Sequence, residues 1–231
     1  MNKPGKFSVS GALGTGFIVG GHAVTGNDAA YNPVLDIHNV SMQDAYKKGF
    51  RGELGVGYRI GKKNELTVNG YYQQAKGKDT TLGQHISGSP LEGQLSAYKG
   101  YGVELGLRHN MNTFKAPLIK NITPFIEARL GFGHVSDIAI NDLRVAGTAI
   151  GPVSTPFYEG GWVPTASGLI GFEKPISRHM SIGLETGIRY EKSLSADSTF
   201  VPVVPGGPLG QSANGGSRWS VPIQIRGRYR F

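Results

Sequence analysis

From residue 218 to residue 231 the chain alternates without a break. One parity holds Trp219, Val221, Ile223, Ile225, Gly227, Tyr229 and Phe231; the other holds Arg218, Ser220, Pro222, Gln224, Arg226, Arg228 and Arg230. Successive side chains of a strand point to opposite faces, so this segment has one apolar and one cationic face. Aromatic rings stand at both ends of the apolar face, with aliphatic residues between them. That is the order of a bilayer: hydrocarbon in the middle and amphipathic rings at each interface.

Alternation recurs along the chain and predicts eight strands, over residues 7–19, 50–60, 65–75, 97–109, 122–136, 162–173, 180–190 and 217–231. Long connections (20–49, 76–96, 137–161 and 191–216) alternate with shorter ones. The first is expected to be irregular, because no alternation is sustained in it, and the other three read as loops, the second from its Gly, Lys, Asp, Ser and Thr content. Ser41 followed by Met42, Gln43 and Asp44 is a helix-start pattern, which predicts a short helical turn near residues 42–48. The two prolines of GPVSTP, residues 151–156, argue against a regular central strand there. Eight strands joined in this way make one all-β domain over residues 1–231, an antiparallel up-and-down barrel with short periplasmic turns and four long extracellular loops.

Each predicted strand has an outer and an inner parity. With the first strand starting on the periplasmic side, Phe17, Phe50, Tyr72, Tyr101, Phe132, Trp162, Tyr190 and Trp219 fall at the upper end of the outer face. Phe7, Tyr58, Phe172, Tyr229 and Phe231 fall at the lower end. From Phe50 to Tyr58, at ~3.3 Å per residue and ~40° tilt, the wall rises roughly 20 Å, near the ~25 Å apolar band of such barrels. The inner parity holds Arg51, Glu53, Glu104, Arg108, Glu127, Arg129, Glu185, Arg189, Arg226 and Arg228. Eight strands leave a lumen just wide enough for side chains, so these charges are expected to pair across it, with Glu127 at the centre of the network.

Composition supports a wall more than a globule. Hydrophobic residues make up 39% of the chain, against roughly 45–50% for soluble domains. No apolar run approaches the ~18 residues of a membrane helix, so a membrane span must be made of strands. With no cysteine, disulfides and thiolate metal sites are excluded. Histidines 22, 38, 85, 109, 134 and 179 lack metal-site spacing, so neither a metal nor a cofactor is expected. Gly14-Thr-Gly16 and Gly55-Val-Gly57 precede no helix and read as small residues in strands, not as phosphate loops. The net charge is +8, yet no nucleic-acid-binding motif accompanies it. An anionic lipopolysaccharide leaflet is the simpler partner, with Lys47 and Lys48 expected to contact its phosphates just above the upper girdle. Met1 leads into NKPGKF instead of a basic segment and an apolar core, so a mature form with an added initiator is expected.

PFIEARLGFG at residues 124–133, the alternating hairpins, the four long loops and the terminal YRF resemble the small bacterial outer-membrane barrels of the OmpA, OmpX and opacity type. The likeness covers nearly the whole chain. It implies residence in the outer membrane among lipid and lipopolysaccharide, and insertion by the barrel-assembly machinery with Phe231 as the signal. His134-Val-Ser136 is similar to the His-x-Ser element of lipid A deacylase barrels, which attack a lipid ester. That pattern continues with Asn, where this chain has Asp137, and needs a later Glu that is missing here, so no catalytic residue is expected. The function expected is that of a non-enzymatic surface protein whose loops bind an extracellular or envelope partner. A narrow porin-like channel and a lipid A-modifying enzyme are the alternatives.

Overall fold

The computed structural model describes residues 5–26, 34–114, 121–196 and 216–231. In chain order the first elements are β1 (Phe7–Gly20), β2 (His22–Val24), β3 (Leu35–Ile37), β4 (Val40–Ser41), α1 (Met42–Ala45), β5 (Gly49–Arg59), β6 (Asn64–Ala75), β7 (Asp79–His85) and β8 (Pro90–Leu95). They are followed by β9 (Tyr98–Asn110), β10 (Thr123–Val135), β11 (Ile138–Val145), β12 (Val153–Glu159), β13 (Gly161–Pro175), β14 (Met180–Glu191), β15 (Ser195–Ala196) and β16 (Arg218–Arg230).

Eight of these strands close into an antiparallel barrel in the order β1-β16-β14-β13-β10-β9-β6-β5. Closure is made by β1, which pairs with β16 on one side and β5 on the other; Ala12 lies opposite both Arg226 and Glu53. A closed ladder leaves no unpaired strand edge to meet hydrocarbon, the condition for spanning a bilayer with strands. The outer wall is apolar: Leu54 and Leu130 are 76% and 70% exposed. No helix among the described residues is long and apolar enough to cross a membrane.

Within the described residues the long connections are largely regular, which corrects the expectation from sequence. β2 pairs separately with β4, and most of the other strands of these connections form a second sheet in the order β15-β12-β11-β8-β7-β3. This is the circumferential order of six barrel strands, each continued upward past a break of a few residues, except that β3 takes the place beside β7 that β5 holds beside β6. The apolar side changes across the break. Inside the membrane band the apolar residues face out; above it Leu82, Leu91, Leu95, Ile138, Ile140, Leu143, Val145 and Phe157 face in and form a buried core with Leu35, Ile37 and Met42. The solvent dictates the change, since above the bilayer the outside is water.

Two local expectations need adjusting. The helical turn at α1 ends at Ala45 instead of continuing to residue 48; Ser41 caps it, its Oγ accepting from the Asp44 N–H at 3.1 Å. The GPVSTP segment does enter a strand, β12. Pro156 is tolerated because β15 pairs only with Tyr158 and Glu159, and because the β11 register shifts beside Pro156. The proline- and glycine-rich part of the fourth connection lies outside the described residues.

Candidate functional site

The lumen is filled by charge. Inward-facing positions of β5, β9, β10, β14 and β16 bring Arg51, Glu53, Glu104, Arg108, Glu127, Arg129, Glu185, Arg189 and Arg226 together, all buried. Glu53 meets four guanidiniums: Arg51 at 2.7 Å, Arg129 at 2.9 Å, Arg189 at 3.2 Å and Arg226 at 2.5 Å. Glu104 lies 3.3–3.6 Å from Arg51, Arg189 and Arg129. Glu185 pairs with Arg226 at 2.8 Å. Glu127 meets two guanidiniums, Arg129 at 2.8 Å and Arg108 at 3.3 Å, and accepts from the Thr67 hydroxyl at 2.7 Å.

The centre is therefore Glu53 and not Glu127. Glu53 lies opposite Ala12, on a strand whose inward side chains are small, so it reaches across β1 to Arg226 on β16. Glu127 has Arg108 on one neighbouring strand but Leu169 on the other.

Five charges missed from sequence complete the filling. Arg228 pairs with Glu65 at 2.5 Å instead of joining the central cluster. Glu173 gathers Arg108 at 3.2 Å and Arg230 at 2.5 Å. At the top, Arg218 pairs with Glu191, which also accepts from Tyr98 Oη at 2.8 Å and Gln73 Nε2 at 2.5 Å. Inner parity carries the signal for Glu65, Glu173, Arg218 and Arg230, while Glu191 lies one residue beyond the predicted strand end. Arg230 is half-buried at the lower mouth; the fully buried charges of the described residues are seven arginines and seven glutamates, a neutral set. Ring faces cap three of the guanidiniums, with Arg51 over Tyr71 at 3.6 Å, Arg108 over Phe125 at 3.5 Å and Arg218 over Tyr98 at 3.7 Å. Tyr71 fits only because two neighbouring strands present glycine to it. A Cβ on Gly102 would stand 2.9 Å from its ring, and one on Gly133 would stand 2.1 Å from its hydroxyl.

Aromatic rings edge the outer wall. At the upper end Tyr101, His134 and Trp162 form a packed row, with Tyr101 and His134 stacked at 5.1 Å and His134 edge-on to Trp162 at 5.5 Å. Tyr190 meets Trp219 at 4.9 Å, while Tyr72, Phe50 and Phe132 are exposed. Phe17 is half-buried beneath Lys48, whose Nζ lies 5.2 Å from the ring centre. At the lower end Phe7 packs on Tyr58 at 5.0 Å and Tyr229 on Phe231 at 5.2 Å; Phe172 contacts Phe114 at 6.5 Å.

Lys47 and Lys48 line a cavity of about 520 Å³ with Lys78, Tyr46, Phe17 and Val19, cations above and apolar wall below. The Tyr46 hydroxyl there is buried with no hydrogen-bond partner among the described residues, and burial pushes its pKa above the usual phenol range. His134 is held in the aromatic row, and among the described residues no hydrogen bond joins it to Ser136. No cluster of metal-ligating side chains occurs among the described residues.

No protein-family model matches the chain, and a search of curated proteins gives no match. Solved structures do match in fold. Neisserial surface protein A (NspA) aligns over 100% of both chains with a TM-score of 0.54 at 12% identity. The outer membrane protein OprG from Pseudomonas aeruginosa aligns over 100% of this chain and 97% of its own, with a TM-score of 0.43 at 13% identity. Ail, the attachment invasion locus protein of Yersinia pestis, solved with the heparin analogue sucrose octasulfate, aligns over 98% of this chain and 99% of its own, with a TM-score of 0.44 at 12% identity. The fold is that of the small bacterial outer-membrane barrels.

Proposed function

We propose that this barrel is a non-enzymatic protein of the bacterial outer membrane that acts by binding, through the sheet raised above the membrane, to an extracellular or envelope partner. The observation that carries this is the apolar core of that sheet. Long connections that only linked strands would have no reason to bury Leu91, Ile140 and Phe157 almost completely. A rigid, water-facing β-platform on a filled barrel is a scaffold for recognition. The His134 ring packed between Tyr101 and Trp162, without a bond to Ser136, favours binding over lipid hydrolysis.

The test is cross-linking on intact cells, comparing the full chain with a version in which residues 86–89 and 146–149 are replaced by minimal turns. A partner captured by the full chain and lost from the shortened one, with equal amounts of folded barrel, is the expected outcome. Capture that is indifferent to the platform would overturn it. Mass spectrometry of lipid A from cells with and without the protein tests the enzymatic alternative, which predicts altered acylation.

Lipopolysaccharide contact belongs to the same proposal, supported by the amphipathic cavity under Lys47, Lys48 and Lys78. Replacing the three lysines with glutamine should reduce lipopolysaccharide co-purification without changing the folded yield; unchanged co-purification would remove this contact.

A further inference from the structure

The charges of the described residues divide by height. The lumen is neutral. Above it the exposed and half-exposed acids, from Asp36 to Glu159, share the long-connection end with lysines such as Lys47, Lys78 and Lys99. The short-turn end is different. Lys6, Arg59, Lys62 and Lys63 lie there with Lys174, Arg178 and Arg230, and among the described residues the only side-chain carboxylates nearby, Glu65 and Glu173, are buried and paired with arginine. Among the described residues two of the three short connections contribute: Lys62 and Lys63 border one cavity at the barrel mouth with Arg59 and Arg230, while Lys6, Lys174 and Arg178 stand elsewhere on the rim.

Their height matches lipid headgroups. Lys6 Nζ lies 6.0 Å from the ring centre of Tyr58, in the lower girdle. Lys174 lies two residues past Phe172 on the lipid-facing parity and opposite Ile182, an exposed wall residue. A long cationic side chain so placed runs along apolar surface and delivers its charge to the interface. Arg59, Lys62, Lys63 and Arg230 continue the ring across the barrel mouth, around a cavity of about 270 Å³.

We infer that the short-turn rim is a docking ring for anionic phospholipid headgroups of the leaflet it faces. The inference rests on the membrane placement above but not on the platform's partner. A cationic ring next to an aromatic girdle gathers anionic headgroups by local field, an attraction that salt weakens. The distribution around the circumference fits an annulus of lipids better than a single soluble ligand.

The full chain is folded into vesicles of phosphatidylcholine containing trace spin-labelled phosphatidylglycerol or spin-labelled phosphatidylcholine, and the motionally restricted fraction of each label is read. The expected result is several-fold selectivity for phosphatidylglycerol, falling with added salt. It should be lost when Lys62, Lys63, Lys174 and Arg178 are changed to glutamine, and kept when Lys47, Lys48 and Lys78 are. If the rim variant does not fold, the variant at Lys47, Lys48 and Lys78 still decides, since selectivity kept there leaves the short-turn end as its source. Equal restriction of both labels, or selectivity that follows Lys47, Lys48 and Lys78, would overturn the inference. Loss of selectivity on adding glycerol phosphate, at an ionic strength where sodium chloride leaves it intact, would assign the ring to a free anion and overturn it as well. A chain that inserts into no vesicle would refute the membrane placement itself, a failure distinct from insertion without selectivity.

Discussion

Glu53 is the residue on which the lumen depends most. Four guanidiniums meet its carboxylate, and Glu104, with contacts of 3.3 Å and longer, does not replace it. Glu53→Ala leaves buried cations under-compensated and should destabilise the barrel by roughly 3–5 kcal/mol. Urea unfolding in lipid, followed by tryptophan fluorescence, measures it. Glu127→Ala should lose less, because Arg108 keeps Glu173 and Arg129 keeps Glu53; equal losses would contradict the central place of Glu53. Glycine is tested at the same scale. Gly133→Val puts carbon where the Tyr71 hydroxyl stands, whereas a Cβ on Gly168 meets nothing within 4 Å. The first change should reduce stability by about 1–3 kcal/mol and the second, to Ala, should not.

At the scale of elements, the closing strand decides assembly. β16 pairs with both β1 and β14, and the Phe231 N–H donates to the Phe7 carbonyl at 3.1 Å. Trp219→Asp puts a charge on the lipid-facing parity at the upper girdle. That variant, or removal of Phe231, should lower the heat-modifiable folded fraction far more than shortening the turn at residues 86–89. Comparable losses in all three would show that the wall is not assembled through this strand. The barrel was legible because lipid keeps apolar residues on one parity over a dozen residues at a time. The upper sheet was not, for two physical reasons. Its apolar side is reversed, and its parity is broken by short steps: Val135 and Ile138 both face inward across a two-residue gap, and Asp142 at φ 51° shifts the pattern within β11. The ionic centre was misplaced for a related reason. Parity says which side chains face inward, but only register says that Glu53 looks past Ala12 while Glu127 is flanked by Leu169.

For the whole molecule the open choice is between pore and plug. A conducting barrel needs a continuous wet path, and two barriers of different chemistry stand in series along this axis. The lower is the neutral set of seven arginines and seven glutamates, which eight strands leave little room to bypass. Above it lies the core around Leu91, Ile140 and Phe157, whose lining is mostly aliphatic and aromatic and offers an ion little in place of its hydration shell. Loosening one barrier leaves the other. Planar-bilayer recordings of the unaltered chain should therefore show no large, stable openings, and Glu53→Ala alone should stay closed although it is less stable. Replacing residues 79–95 with a short turn removes β7 and β8 from the upper core, and should still leave the ionic layer shut. Only the two changes together should conduct, and the current should be small, because Glu104, Glu185 and their arginines still crowd the lumen. Stable openings in the unaltered chain would show that neither layer seals and would make ion passage the primary function. Openings in Glu53→Ala alone would show that the ionic layer is the gate and the apolar core only a support for the platform.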